Sequence, residues 1–178
     1  SVLVALLRDC PLILPYATTR AAVAEIHARS PLRAAVTDQP ESLPAAIPAV
    51  TVEPFPPDES PPPAPARIDL DLESISFFTG GSTGRPEIWT KTPRNLLAEA
   101  QYHSRELAVG PDDRILSTVV PYHIYGFLFT VLMPLLGSAA VLPGRPDFPE
   151  EIRGAITRSG ATILVSVPVH YRIIGVTP

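Results

Sequence analysis

The sequence predicts an α/β fold with a mainly parallel sheet, and three observations carry that reading. Short apolar runs ("PLILP", "LRAAVTD", "ILSTVV", "ATILVSV") alternate with stretches of helical apolar spacing. Strands covered by helices on both faces read as continuous apolar runs of this kind. The helical stretches are also punctuated as helices should be, with a hydroxyl or proline at the start and glycine after the end.

Taken in order, "SVLVALLRD" reads as the end of a helix and "PLILP" as a short strand. Thr18 or Thr19 can cap a helix whose inner face is Ala22, Val23 and Ile26. Ser30-Pro31 ends it, and "LRAAVTD" is the next strand. From Glu53 to Ala66 half the residues are proline, so neither helix nor ladder can persist. That stretch is a stiff, extended connection. "SISFF" and "EIWTK" are strands on either side of a glycine loop. Thr92-Pro93 opens a helix with Leu96, Leu97, Ala100 and Leu107 on its apolar side, and Gly110 supplies its stop. "ILSTVV" is a strand and "PYHIYG" a loop. A buried helix, "GFLFTVLMPLLG", a turn and a buried strand, "AAVL", follow. Pro149, Glu150 and Glu151 start another helix with Ile152, Ala155 and Ile156 inward and Gly160 after its end. "ATILVSV" is the last clear strand. The division expected is 1–52, a βαβ portion; 53–66, the Pro-rich connection; and 67–178, a portion carrying the glycine loop and "PYHIYG". No internal repeat is visible.

Composition narrows the function. Of 178 residues, 46% are apolar and 18% charged, with a net charge of −4 and no basic run. Nothing favours nucleic acid or an acidic membrane surface. The single cysteine, Cys10, excludes an internal disulfide and reads as a small buried hydrophobe. The expected compartment is cytoplasmic. Ile124 to Gly144 lacks charge over roughly 20 residues, the length of a spanning helix. Pro134 and Gly137-Ser138 interrupt it, so the expectation is not a membrane span. The chain starts inside an apolar periodic segment without methionine and stops just after a strand. Both ends read as the interior of a longer protein, and uncovered apolar surface on such a piece predicts self-association.

The chemistry concentrates in "FFTGGSTGRPEIWTKT", Phe77 to Thr92. Glycines let backbone approach a ligand, and successive N–H groups form an anion-binding concavity. Ser82 and Thr83 add hydroxyls, and Arg85 adds a forked cation. All of this suits phosphate oxygens. A Walker loop is excluded, because Gly80 and Gly84 enclose too few residues and Arg85-Pro86 follows. The dinucleotide pattern G-x-G-x-x-G opening a helix is absent as well. A flexible surface hairpin would carry the same letters.

"FFTGGSTGRPE" resembles the phosphate loop of the adenylate-forming superfamily, which includes acyl-CoA synthetases, aryl-CoA ligases and peptide-synthetase adenylation domains. Downstream, "VVPYHIYGF" resembles the Pro-aromatic-aromatic-His-x-x-Gly segment of the acyl- and aryl-activating branches. The resemblance covers essentially the whole chain, most firmly Ser74 to Leu142. It implies part of the large N-terminal domain of these enzymes, with the phosphate loop on a β-hairpin. It implies ATP-dependent activation of a fatty or aryl carboxylic acid to an acyl-adenylate with Mg2+. Transfer to a thiol follows, from CoA or from the phosphopantetheine of an acyl carrier protein, and fatty acid metabolism is one setting. Thr79, Gly80, Gly81, Ser82, Thr83, Gly84 and Arg85 would hold the β- and γ-phosphates. Tyr122 and His123 would border the carboxylate pocket, His123 in a catalytic role, with Gly126 giving room at its wall. In the family the adenine segment, a magnesium-binding acid, a ribose-binding Asp and a catalytic Lys lie further on, so 1–178 alone is expected to be inactive.

The sequence departs from the family pattern at three loop positions. Gly80 stands for a serine, Arg85 for a lysine that keeps the charge, and Glu87 for a lysine whose charge is lost. Two alternatives stay open here: a non-catalytic relative kept for binding, and an unrelated α/β protein whose glycine hairpin is structural. His27 and His103 lie on polar helix sides and read as solvated; His170 has no evident partner.

Overall fold

The computed structural model describes residues 10–51, 67–79 and 86–175. They fall into two compact units, Ser1–Thr90 and Lys91–Pro178. The first helix expectation, the Pro-rich connection and the glycine loop 80–85 lie outside the described residues.

In the first unit, β1 (Leu12–Ile13) pairs in parallel with β4 (Ile75–Thr79), Leu12 opposite Ile75. Strand β5 (Glu87–Lys91) lies on the other side of β4. The connection between β4 and β5 is too short for a parallel crossover, which needs about a dozen residues or more. The two therefore form a hairpin, and the hydroxyls of Ser76 and Thr90 meet across it at 3.0 Å. Helix α1 (Arg20–Arg29) starts where Thr19 Oγ1 accepts from the Ala22 N–H at 3.3 Å, and it buries Ala22, Val23 and Ile26. β2 (Ala35–Thr37) pairs in parallel with β3 (Ala49–Thr51). Val23, Leu43 and Ile47 form the core there, with Leu32 and Ala35 packed on it. Cys10 is exposed, contrary to expectation. It precedes the two-residue strand β1 and lies outside the helices and strands of the described residues.

The second unit is a parallel sheet of order β7-β6-β8, with β6 Arg114–Ser117, β7 Ala140–Val141 and β8 Ile163–Val165. Helix α2 (Pro93–Glu106) opens as the sequence requires: Thr92 Oγ1 accepts from Asn95 N–H at 3.2 Å, and Pro93 takes the first position. Its end departs from expectation. The left-handed residue is Ala108, φ 50°, not Gly110, and the Val109 N–H closes back on the Ser104 carbonyl at 2.9 Å. Leu107 is consequently outside the apolar face and exposed. Gly110 instead donates its N–H to Asp113 Oδ2 at 2.9 Å.

The uncharged stretch becomes one helical run, α3, composed of Ile124–Phe127, a π-helical Leu128–Leu132 and Met133–Gly137. Proline lacks an N–H and crowds the carbonyl four residues back. The wider π turn ahead of Pro134 relieves this, as π-bulges do in helices. Thr130 Oγ1 donates to the Gly126 carbonyl at 2.7 Å. Ser138, φ 59°, ends the run, while Gly137 is needed for packing: a Cβ there would meet the Val109 side chain at 2.8 Å. No helix among the described residues is long and apolar enough to cross a membrane. The expected buried strand after it is an exposed edge, β7, with Val141 open to solvent. Helix α4 (Pro149–Ser159) buries Ile152 and ends at Gly160, φ 63°. Ile163 and Leu164 are only half-buried. The sequence missed α5 (Pro168–Ile174), which follows β8 directly. Ile115, Met133 and Val165 form the core of this unit.

Asp113 links the starts of β6 and β8. Its Oδ1 accepts from the Thr162 hydroxyl at 2.7 Å, and Thr162 Oγ1 accepts from the Arg114 N–H at 3.0 Å. The Thr162 hydroxyl, then the Gly110 N–H, hold the Asp113 carboxyl below its ordinary value of 3.8. A lowered folded pKa contributes stability above the ordinary value that is lost as pH falls through the folded one. The stability gap between wild type and Asp113→Asn, followed by thermal melting, should be constant above 3.8 and close below it. A gap that stays constant through that range would contradict this linkage.

Candidate functional site

Parallel strands of an open α/β sheet present ligands at their carboxyl ends. In the second unit those ends are Ser117 and Val165, paired in register. The chain leaving β6 carries "VVPYHIYG", and the chain leaving β8 enters α5 at Pro168. Both segments therefore start from the same edge.

Four contacts shape the first segment. Ser117 Oγ accepts from the Val119 N–H at 3.1 Å, which turns the chain out of the sheet. Gly126 is buried because the Val120 carbonyl lies over it, and a Cβ would overlap that oxygen. The space that glycine leaves is filled by this chain's own backbone. Tyr125 donates its hydroxyl to the Ser166 carbonyl at 3.1 Å. Thr118 Oγ1 meets Ser166 Oγ at 2.7 Å.

Held this way, Tyr122 is half-buried and His123 exposed, their rings 5.1 Å apart. His123 is the residue before α3, and its carbonyl accepts from the Phe127 N–H at 2.8 Å. "PYHIYG" is thus half loop and half helix start. An open depression of about 440 Å³ lies beside it, lined by Tyr125, Ser166, Val167, Pro168 and Tyr171. Tyr171 donates to the Leu164 carbonyl at 2.6 Å. Burial pushes both phenols up, Tyr171 with a smaller contribution from Tyr125 nearby, so both stay protonated donors at neutral pH. With their hydroxyls turned to backbone, they offer ring carbon to the depression.

In the first unit, Thr79 closes β4 and Glu87 opens β5. Gly80, Gly81, Ser82, Thr83, Gly84 and Arg85 lie outside the described residues. Arg29 NH1 donates to the Pro86 carbonyl at 2.8 Å, which anchors the downstream end of the loop on α1. Glu87 is exposed.

Three histidines are placed differently from the sequence reading. His27 Nδ1 accepts from the Leu32 N–H at 3.0 Å and so closes the end of α1. His103 packs its ring 4.9 Å from that of Phe129. His170 Nδ1 lies 2.9 Å from Thr118 Oγ1 and 3.3 Å from Ser166 Oγ. The signal for α5 was present: Val167-Pro168 is the same extended-then-proline helix start as Thr92-Pro93, and it puts His170 four residues after Ser166.

A prediction follows from Gly126. Gly126→Ala should destabilise the fold by about 1–3 kcal/mol or more, as an overpacked site does, and lower the melting temperature accordingly. Gly110→Ala, where nothing lies within 4 Å of the added carbon, should stay within about 0.5 kcal/mol. Equal stability of the two variants in thermal unfolding would contradict the close approach of Val120.

The sequence model of the AMP-binding enzymes matches residues 7–176. A sulfoacetate–CoA ligase of Cupriavidus necator is 41% identical over 86 residues, 48% of this chain and 16% of that protein. A 4-coumarate–CoA ligase of Cereibacter sphaeroides is 41% identical over 62 residues, 34% of this chain and 15% of that one. The matched stretches thus span about a sixth of the length of these relatives. Among solved structures, a malonyl-CoA ligase in a ternary product complex with methylmalonyl-CoA and AMP superposes with a TM-score of 0.77 at 21% identity. That match covers 98% of this chain and 38% of the other, and it shows a shared fold. The chain belongs to the AMP-binding enzyme family.

Proposed function

We propose that the protein containing this chain activates a carboxylic acid with ATP and passes the acyl group to a thiol. The carrying observation is that the glycine-hydroxyl sequence falls between the neighbouring strands β4 and β5, in the same chain as a braced Pro-Tyr-His-Ile-Tyr-Gly segment at a sheet's carboxyl edge. Family membership and two relatives that are acid–CoA ligases support the reading. The acid's carboxylate oxygen attacks the α-phosphorus, the bond to the bridging oxygen breaks, and pyrophosphate leaves. The thiol sulfur then attacks the acyl carbon and AMP leaves. Both steps depend on positioning and on stabilising charge at oxygen.

In this scheme the loop from Thr79 to Arg85 holds the β- and γ-phosphates, and Tyr122 and His123 border the carboxylate. Glu87 is exposed, which fits a loop-end position that tolerates the lost lysine charge. Magnesium would arrive on the phosphates. It usually takes one or two carboxylates beside phosphates and waters. Among the described residues no group of three His, Cys, Asp or Glu side chains could hold it alone. We assign the acid to the fatty or aryl class, the acceptor to CoA or a carrier-protein phosphopantetheine, and the compartment to the cytoplasm. Exposed Leu135, Leu136, Val169 and Ile173 support self-association of this chain when produced alone.

The loop's role is tested in the full-length protein with the double variant Ser82→Ala, Thr83→Ala. Each lost donor to a charged oxygen is worth about 1.5–3 kcal/mol, so acid-dependent ATP–pyrophosphate exchange should slow about tenfold or more. Exchange at the wild-type rate would make the loop a structural turn and overturn the proposal.

A further inference from the structure

We propose that His170 is a positioning residue for the acid-binding segment, holding the chain from Thr118 to Tyr125 in its working shape through Thr118 and Ser166. This rests on the acid-activation reading above.

Three polar atoms meet at the carboxyl edge of β6 and β8. Thr118 Oγ1 and Ser166 Oγ are 2.7 Å apart, and His170 Nδ1 is 2.9 Å from the first and 3.3 Å from the second. Thr118 is 5% exposed and Ser166 3%, so water has little access to replace a lost partner. In either tautomer Nδ1 has a partner here: protonated it donates to a hydroxyl oxygen, and bare it accepts from a hydroxyl. The hydroxyl pair therefore orients the imidazole edge towards the β6–β8 junction.

The triangle matters because of where its corners lie in the chain. Thr118 is the first residue beyond β6, and its N–H donates to the Val165 carbonyl at 3.0 Å, continuing the ladder one step. Ser166 is the first residue beyond β8, and His170 is one turn further on in α5. At the other end of the segment, Tyr125 donates to the carbonyl of the same Ser166. Both ends of the segment are therefore strapped to the β8–α5 junction. Between them lie Tyr122 and His123, and the His123 side chain makes no cap hydrogen bond to the helix it precedes. Their placement is inherited from the strap. Preorganised groups held by such supporting bonds contribute to binding without reorganising at the moment of reaction.

The test uses the full-length protein with His170→Leu, which removes the polar atom, and His170→Asn, which returns one near Nδ1. In acid-dependent pyrophosphate exchange, His170→Leu should raise KM for the acid about tenfold, the factor that 1.4 kcal/mol corresponds to. KM for ATP should be unchanged, and His170→Asn should recover most of the loss. A merely structural role would lower the active fraction without a selective shift in the acid's KM. An unchanged acid KM, an equal shift for acid and ATP, or an asparagine variant no better than leucine would overturn the proposal. Hydrogen-exchange mass spectrometry supplies an arm that needs no turnover. Protection should fall over Val119–Phe127 in His170→Leu, stay level over Pro149–Ser159, and return in His170→Asn. That pattern would support the strap even if the wild type showed no acid-dependent exchange, an outcome that would sink the proposed function alone. Uniform loss or no loss over Val119–Phe127 would sink the strap.

Discussion

The parallel register of β6 on β8 governs the second unit. Ile115 faces Ile163, Leu116 faces Leu164 and Ser117 faces Val165. A slip of one residue would invert every side chain across the sheet. It would take Ile115 and Val165 out of the core they share with Met133, and it would part Thr118 from Ser166. The same register therefore sets the apolar centre and the polar edge. Asp113 and Thr162 fix it at one end of the strands, and the Thr118–Ser166 pair fixes it at the other. With both ends pinned, the segment leaving β6 emerges in one direction only.

That direction gives the motif its meaning. A loop of aromatic and imidazole side chains on a free strand end would sample many shapes, and each would dilute the useful one. Here the Val120 carbonyl sits against Gly126, and the Tyr125 hydroxyl is spent on the Ser166 backbone. The glycine is thus a packing requirement. A larger residue would push the helix start away from the loop it completes.

Much of this was legible in the sequence where the signal was local. Thr19 and Thr92 cap the helices they precede, Pro93 opens one and Gly160 closes another, because caps are decided within one turn. The β5 strand is "EIWTK" as read. What failed depended on distant partners. Ala108 ends α2 in place of Gly110 because the Ser104 carbonyl takes the Val109 N–H and Asp113 claims the glycine's. The strand at Ala140–Val141 is apolar yet exposed, since it is the sheet's edge. Cys10 follows the same logic at the start of a two-residue strand. His170 looked solitary because its partners are 4 and 52 residues away, and only the strand register brings them together. In the candidate site, residue types were readable from the motif, whereas the hydrogen bonds that brace them were not.

The central claim is that the carboxylate itself attacks the α-phosphorus of ATP, and oxygen tracing tests it most directly. The full-length protein would be supplied with ATP, a thiol acceptor and a carboxylic acid labelled with 18O in both carboxyl oxygens. The products would then be resolved by mass spectrometry. The expected result is one labelled oxygen in AMP, one retained in the thioester and none in pyrophosphate. Label in inorganic phosphate, with ADP as the nucleotide product, would mean attack at the terminal phosphorus and would contradict the claim.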